Sequence, residues 1–277
     1  MEIKFFKPKS KLLQNYIEGY YFLTKKVDEP NVKYLTFPNN YSIISVFEKI
    51  KVAYSENNAL LSEDENSPFS SDLICRYKKP IQLQYNGFIN EITFYFKPLG
   101  LNAFLNKPLS NYTSNFFSNF FPFDDYETEM KKILNENDFD ERQDLIENYW
   151  LSKILDFKHP FLKDVILDLS NLEKEHSIDE LAKKYNISRQ NLSKHFEIHL
   201  CKTPSEFKKV HRFREALKAK INKTSKNNYT SLSYEMLFYD QSHLIKDFKS
   251  LTGLTPKTFF KNITSQENGE VNWLFGS

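Results

Sequence analysis

The C-terminal part of the chain contains an internal repeat, and this repeat constrains the fold more than any other feature of the sequence. Phe196 is followed seven residues later by Thr203-Pro204, and Phe248 is followed seven residues later by Thr255-Pro256. These residues match at an offset of 52 positions, and the residues just upstream match at an offset of 51. A turn between two helices can absorb the one-residue difference. The matches therefore indicate one helical unit that is present twice.

Each copy has the pattern of two short helices joined by a turn. In the first copy, Ser177 and Glu180 fit a capping box, and apolar residues follow at helical spacing. Asn186 belongs to a residue type that tolerates the left-handed backbone of a tight helix-ending turn. Ser188 can cap the second helix. The stripe of that helix expected to face the core consists of Leu192, Phe196 and Leu200.

A long connecting helix is predicted between the copies, over Ser205–Asn222. The Thr-Pro pair before it has a mechanical reason, because Thr caps a helix and Pro fits the first helical position. Arg212 and Arg214 lie on this helix, and we expect them to bond acidic partners such as Glu206 or Glu215 rather than to have a separate function.

The first hundred residues are typical of a β-rich domain, because β-branched and aromatic runs alternate with Pro, Asn and Gly. The predicted strands are Tyr20–Thr24, Tyr41–Glu48, Ile81–Tyr85 and Glu91–Lys97. Residues Ser55–Ser71 are polar and acidic, which predicts a loop. The predicted helices that follow are Leu101–Leu105, Tyr126–Asn137 and Glu141–Phe157.

These patterns predict an α+β protein with two domains. Residues 1–157 are expected to form a β-rich, half-barrel or cupin-like domain with helices. Residues 158–265 are expected to form an all-α domain of two helix-turn-helix units joined by the long helix, and residues 266–277 a C-terminal tail.

The distribution of charge indicates a polyanionic partner for the C-terminal part. The chain has a net charge of +2, but residues 158–261 contain 20 Lys and Arg against 12 Asp and Glu. A basic block of this kind is typical of nucleic-acid binding, although many basic faces are only solvated. No apolar run is long enough for a membrane span and no secretory signal is evident, so we expect a cytoplasmic protein without a membrane partner.

The sequence resembles the DNA-binding domain of the AraC/XylS family of bacterial transcription regulators. The segments that carry the resemblance are Ser177–Ser188, Arg212–Ala216, Phe238–Phe248 and Leu251–Pro256. The family usually has Gly at the positions of Asn186, Cys201 and Leu237. Because Leu does not readily adopt a positive φ, Leu237 makes the turn of the second unit the less regular one.

The resemblance implies sequence-specific binding of double-stranded DNA. A helix-turn-helix places the N-terminal part of its second helix in the major groove. Side chains opposite the buried stripe are then the DNA-binding candidates. They are Arg189, Gln190, Ser193 and Lys194 in the first unit and Gln241, Ser242, His243 and Lys246 in the second.

For the N-terminal domain, two alternatives stay open. The family resemblance implies a pocket for a small effector, a surface for a homodimer, or both. A regulator without a ligand, whose N-terminal domain only assembles subunits or contacts another protein, is the second alternative. RNA polymerase is an expected partner if the protein activates transcription.

An enzyme is not expected. All six histidines lie at position 159 or later, so a metal site in the N-terminal domain would have only carboxylates and Cys75 as ligands. That set suits no common transition-metal site. Glycine-rich phosphate loops and nucleophile elbows are also absent from the sequence. We therefore expect no catalytic residues, no metal and no cofactor.

Overall fold

A computed structural model gives the fold over residues 1–115, 117–155, 157–174, 176–222, 241–262, 264–265 and 272–275. Within these ranges a β-rich N-terminal part is followed by a helical C-terminal part. This arrangement confirms the predicted fold class. Among the helices of the same ranges, none is long and apolar enough to cross a membrane.

In the described part of the chain, the strands form two six-stranded sheets. The strands are β1 (Glu2–Phe6), β2 (Ile17–Lys25), β3 (Val32–Thr36), β4 (Ser42–Phe47), β5 (Ile50–Ser55), β6 (Asn58–Glu63), β7 (Ser70–Ile74), β8 (Ile81–Asn86), β9 (Ile89–Phe96), β10 (Ser118–Asn119), β11 (Thr264–Ser265) and β12 (Asn272–Phe275). The first sheet has the order β1-β2-β9-β4-β7-β10 and is antiparallel throughout. The second has the order β11-β12-β3-β8-β6-β5, in which β6 and β8 are parallel.

The alternation of side chains along β2 explains how the first sheet packs against two hydrophobic cores, one on each face. Tyr20 and Phe22 belong to a cluster that includes Trp150 of the helical layer. Tyr21 and Leu23 point to the opposite face and pack with residues of the second sheet. Because successive residues of a strand face opposite sides, one strand contributes to both layers.

The helices follow the predicted order. They are α1 (Tyr126–Asn135), α2 (Phe139–Ser152), α3 (Leu162–Ser170), α4 (Ile178–Lys184), α5 (Arg189–Leu200), α6 (Pro204–Asn222), α7 (Gln241–Thr252) and α8 (Pro256–Asn262). The predicted helix at Leu101–Leu105 is a short 3-10 turn, Leu101–Ala103. Pro204 and Pro256 each occupy the first position of a helix, as predicted.

The main difference from the sequence analysis lies in the predicted loop Ser55–Ser71. This segment contains β6 and the first residues of β7, so the loop prediction is wrong. β5 and β6 form a hairpin at the edge of the second sheet, and most of their side chains are exposed or half-buried. Because few of its side chains are buried, the hairpin needs few apolar residues. Its sequence therefore lacks the apolar pattern that predicts strands.

The C-terminal segment also pairs with the N-terminal domain. β12 lies antiparallel to β3, with Leu274 opposite Leu35 and Phe275 opposite Tyr34. Residues 272–275, which the sequence analysis left in a tail, thus extend the second sheet.

Candidate nucleic-acid interface

The first helix-turn-helix unit is defined by hydrogen bonds at the helix ends. The Glu180 amide donates to Ser177 Oγ at 3.1 Å, and the Ser177 amide donates to Glu180 Oε2 at 2.7 Å. The Ser188 side chain caps α5 by accepting from the Asn191 amide at 3.1 Å. Asn186 lies in the turn with a φ of 54°. These contacts confirm the predicted capping box, the predicted cap and the left-handed turn.

Helix α5 has one buried face and one outward face. Leu192 and Phe196 are fully buried and Leu200 nearly so, as predicted. Arg189, Gln190 and Lys194 are exposed, and Ser193 is half-buried. The predicted readers of the first unit therefore lie on one solvent-facing side of the N-terminal half of α5.

The Arg189 guanidinium lies 3.3 Å from Asp179 Oδ2, and both side chains are 61% exposed. An ion pair of this exposure contributes little to stability, because solvent screens it. Arg189 therefore remains accessible to a phosphate group. The C-terminal half of α5, in contrast, contacts the N-terminal domain through Glu197, which lies 3.4 Å from Arg76, and through His199.

In the second unit, α7 begins at Gln241, so Gln241, Ser242 and His243 form its first turn. Lys246 is exposed, and its neighbour Ile245 is 37% exposed. Phe248 is fully buried on the opposite side. Leu237, expected to alter the turn before α7, lies outside the described residues.

Helix α6 joins the two units through charged contacts. Asp247 of α7 lies 3.4 Å from the Arg212 guanidinium and 3.6 Å from Lys209 Nζ. The expected bond from Arg212 to an acidic side chain is present, with Asp247 as a partner in place of the suggested Glu206 or Glu215. Glu206 instead pairs with Lys78 of the N-terminal domain at 2.7 Å.

A buried lysine and a half-buried arginine of the helical part bond the backbone of the N-terminal domain. Lys202 Nζ donates to the Asn39 carbonyl at 3.0 Å. Arg214 Nε donates to the Pro38 carbonyl at 2.7 Å, and its Nη2 donates to the Phe37 carbonyl. Burial lowers the pKa of Lys202 to about 8. The prediction that Arg214 bonds an acidic residue is therefore wrong, because its acceptors are two carbonyl oxygens.

The N-terminal domain has a cavity between its two sheets, with a volume of about 60 Å³ for the centres of water-sized molecules. Its wall is rich in aromatic side chains, namely Tyr21, Phe37, Phe47, Tyr54, Tyr77, Tyr85, Tyr95 and Phe117. Among the described residues of the helical part, Arg214 also lines it. A small molecule in this cavity would therefore contact both parts of the protein.

Two buried carboxyl groups give the cavity polar positions. Glu91 accepts hydrogen bonds from Tyr85 Oη at 2.5 Å and from Tyr21 Oη at 3.2 Å. Burial raises the pKa of Glu91, and it raises the pKa of Asp72 to about 6. Asp72 accepts a hydrogen bond from Tyr54 Oη. Such groups can orient a mostly apolar ligand.

Sequence reasoning left the cavity as one of two alternatives and did not predict the cations at its boundary. The partners of Lys202 and Arg214 lie 162 or more positions away along the chain. No local pattern marks such contacts. The aromatic content of 16% was compatible with a cavity and with a dense core alike.

Residues 181–262 match HTH_18, a helix-turn-helix domain family. No curated protein matches the chain. Among solved structures, one of ToxT from Vibrio cholerae is similar at 14% identity, with a TM-score of 0.44 over 87% of this chain and 98% of that one. A structure of V. cholerae ToxT with a bound unsaturated fatty acid is similar at 16% identity, with a TM-score of 0.45 over 86% and 94%.

The match to the domain family runs from Leu181 in α4 to Asn262 at the end of α8, so it spans both units. It confirms the resemblance drawn from the repeat and the capping signals. A helix-turn-helix domain is typical of DNA-binding regulators of transcription. Residues 181–262 belong to this helix-turn-helix domain family, as the resemblance of the segment to AraC-type regulators predicts.

Proposed function

We propose that the protein recognises a specific DNA sequence by placing α5 and α7 in successive segments of the major groove. The observation that carries this proposal is the outward row on α5, where Arg189, Gln190 and Lys194 are exposed at the N-terminal half of the helix. Recognition helices read bases with this half. Residues 158–265 act as the DNA-binding part.

The side-chain chemistry assigns a role to each candidate. Gln190 and Gln241 can each bond adenine with two hydrogen bonds, and Lys194 and Lys246 can bond guanine. Hydroxyl groups and the remaining basic side chains suit phosphate contacts, which fix the position of the helix. These contacts are assigned to Ser193, Ser242, His243 and Arg189.

Helix α6 sets the distance between the two recognition helices. Its contacts with α7 through Asp247 favour one relative placement of the units. Two recognition helices on a stiff connector address groove segments about one helical turn apart. Straight DNA must then bend to meet both, at a cost of a few kcal/mol that the contacts offset.

Selection of binding sites from random duplexes by the full chain tests this proposal. We expect a site with two half-motifs about one helical turn apart. Lys194→Ala and Gln241→Ala should relax different half-motifs, each by about 1–3 kcal/mol. Lys163→Ala is the matched control, because Lys163 is an exposed lysine of α3 outside the row. Binding that depends on salt but not on sequence would refute readout by these helices.

We further propose that a small molecule in the N-terminal cavity regulates DNA binding. The support is the position of Arg214, which lies on α6 and also lines the cavity. A ligand that changes the bonds from Arg214 to Phe37 and Pro38 would change how α6 sits on the N-terminal domain. The lining favours a mostly apolar molecule with one or two hydrogen-bonding groups.

Thermal-shift screening of small apolar metabolites, followed by DNA titration with each hit, tests this regulation. A ligand that binds the native state raises the melting temperature. We expect hits to change DNA affinity in the wild type and not in Arg214→Met. The absence of hits, together with DNA affinity that follows protein self-association, would instead favour an N-terminal domain that acts as a dimerisation module. RNA polymerase is a further partner if the bound protein activates transcription.

A further inference from the structure

Three histidines from two separate segments meet beside the first helix-turn-helix unit. His159 lies just before α3, and His195 and His199 lie one turn apart on α5. One ring nitrogen of each lies within 4.8 Å of the corresponding nitrogens of the other two. All three side chains are half-buried. The nitrogens are thus held in place by packing and are still reachable from solvent.

A hydrogen bond to Asn102 orients the ring of His199. The Asn102 amide nitrogen donates to the His199 carbonyl at 2.9 Å, so Asn102 Oδ1 is left to accept from His199 Nδ1 at 3.2 Å. With its proton on Nδ1, His199 keeps the lone pair of Nε2 for a ligand. A hydrogen bond of this kind is typical of histidines that bind metal ions, because it fixes the tautomer and the ring.

The other two rings face each other directly. His159 Nε2 and His195 Nδ1 lie 3.0 Å apart, which is a hydrogen bond between the imidazoles. Two ligands of a tetrahedral ion with bonds of about 2.0–2.1 Å are roughly 3.3 Å apart. The nitrogens of this pair therefore have nearly the separation that an ion requires, and the third nitrogen lies within 4.8 Å of both.

We propose that His159, His195 and His199 bind one divalent transition-metal ion of the zinc class, with solvent as the fourth ligand. Imidazole nitrogen suits zinc, cobalt, copper and nickel, whereas magnesium and calcium prefer oxygen. The spacing in sequence does not show this site, because His159 lies 36 positions before His195. This explains why the sequence analysis expected no metal.

His159 must exchange a hydrogen bond to bind an ion. Its Nδ1 accepts from the Leu162 amide at 3.2 Å. Binding through Nε2 requires the proton of the neutral ring to be on Nδ1, so this bond breaks and the affinity for the ion is lowered.

An ion at this position would join three parts of the chain. It would link the segment before α3 to α5, and the bond from His199 to Asn102 would extend this link to the N-terminal domain. The metal would thus hold the first recognition helix against the N-terminal domain. The site itself does not depend on the proposed DNA readout.

Titration of the full chain, stripped of metal with a chelator, with Co²⁺ and then Zn²⁺ tests the site. We expect one ion per chain, visible-region Co²⁺ bands of a tetrahedral site, and displacement of cobalt by zinc. His159→Gln, His195→Gln and His199→Gln should each weaken binding at least tenfold. His176→Gln is the matched control, because His176 is a half-buried histidine outside the cluster. Its affinity should equal that of the wild type.

Urea denaturation of each variant without metal separates loss of the site from loss of the fold. If His199→Gln does not fold because it loses the bond to Asn102, His195→Gln alone decides the question. Equal Zn²⁺ affinity of the wild type and His195→Gln would overturn the proposal. A six-coordinate Co²⁺ spectrum in the wild type would also overturn it.

Discussion

Phe37 is the residue whose removal should most clearly separate the two parts of the protein. It belongs to the N-terminal domain, but it is fully buried in a cluster with residues of the helical part, among them Phe213, Phe248 and Phe259. Its ring lies 4.8 Å from that of Phe259 in an edge-on arrangement. We therefore expect Phe37→Ala to weaken the docking of the helical part on the β-rich domain.

The magnitude follows from the burial. Phe→Ala at a fully buried position costs about 3–5 kcal/mol. The lower end applies here, because two docked surfaces can close over the missing ring more easily than a sealed core. A cost of about 3 kcal/mol shifts the equilibrium between docked and undocked forms by roughly two orders of magnitude.

Urea denaturation with two probes measures this effect. In a Trp273→Phe background, Trp150 is the remaining tryptophan, and it is fully buried in the N-terminal domain. Far-UV circular dichroism follows the helices. We expect coincident transitions in the parent and separate transitions in Phe37→Ala, with the Trp150 transition nearly unchanged. Phe88→Ala, at a position 39% exposed, is the control. Coincident transitions at an unchanged midpoint in Phe37→Ala would refute the reasoning.

Three further predictions concern local features. Asn186→Gly should leave the urea midpoint nearly unchanged. Asn186→Val should lower the free energy of unfolding by about 1–2 kcal/mol, because a φ of 54° is strained for a β-branched residue. Equal midpoints of the two variants would contradict this. By the same assay, Ser177→Ala should lower the free energy of unfolding by about 1 kcal/mol. Ser177→Asp should lower it much less, since Asp can still cap α4. An equal loss in the two variants would argue against the cap. Burial raises the pKa of Asp72 from 3.8 to about 6. The wild type should therefore lose stability as pH rises from about 4 to about 6, because the folded state disfavours the ionised carboxylate. The stability of Asp72→Asn relative to the wild type should therefore rise over this window, and parallel pH profiles would show that Asp72 does not titrate there.

The helical part could be predicted well because its signals are local. Ser177, Asn186 and Ser188 each act within a few residues of their own position, through capping bonds and a left-handed turn. The same holds for the buried stripe that includes Leu192 and Phe196, since helical spacing alone places these residues on one face.

The β-rich part could be predicted only where its strands are buried. β4 and β9 lie in the interior of the first sheet, and their apolar runs mark them. β5 and β6 form the hairpin at the edge of the second sheet, and most of their residues are exposed or half-buried, so their sequence lacks an apolar run. The parallel pairing of β6 with β8 depends on the whole sheet and has no local signal.

The interface and the histidine cluster could not be predicted for a related reason. Each joins residues that are distant along the chain, as with Asn102 and His199, which are 97 positions apart. Single lysine, arginine and histidine residues do not indicate a site by themselves. The site becomes visible only when the fold brings these side chains together.

The bonds from Lys202 and Arg214 to the segment Phe37–Asn39 limit how freely this protein can be recombined with its relatives. A chimaera that joins this helical part to a foreign N-terminal domain would leave the buried Lys202 ammonium without its acceptors, at a cost of several kcal/mol, and would also remove the acceptors of the half-buried Arg214. Exchange of domains therefore requires the acceptor segment to move together with the helices. The helical part therefore depends on a short segment of the N-terminal domain that lies outside its own sequence boundaries.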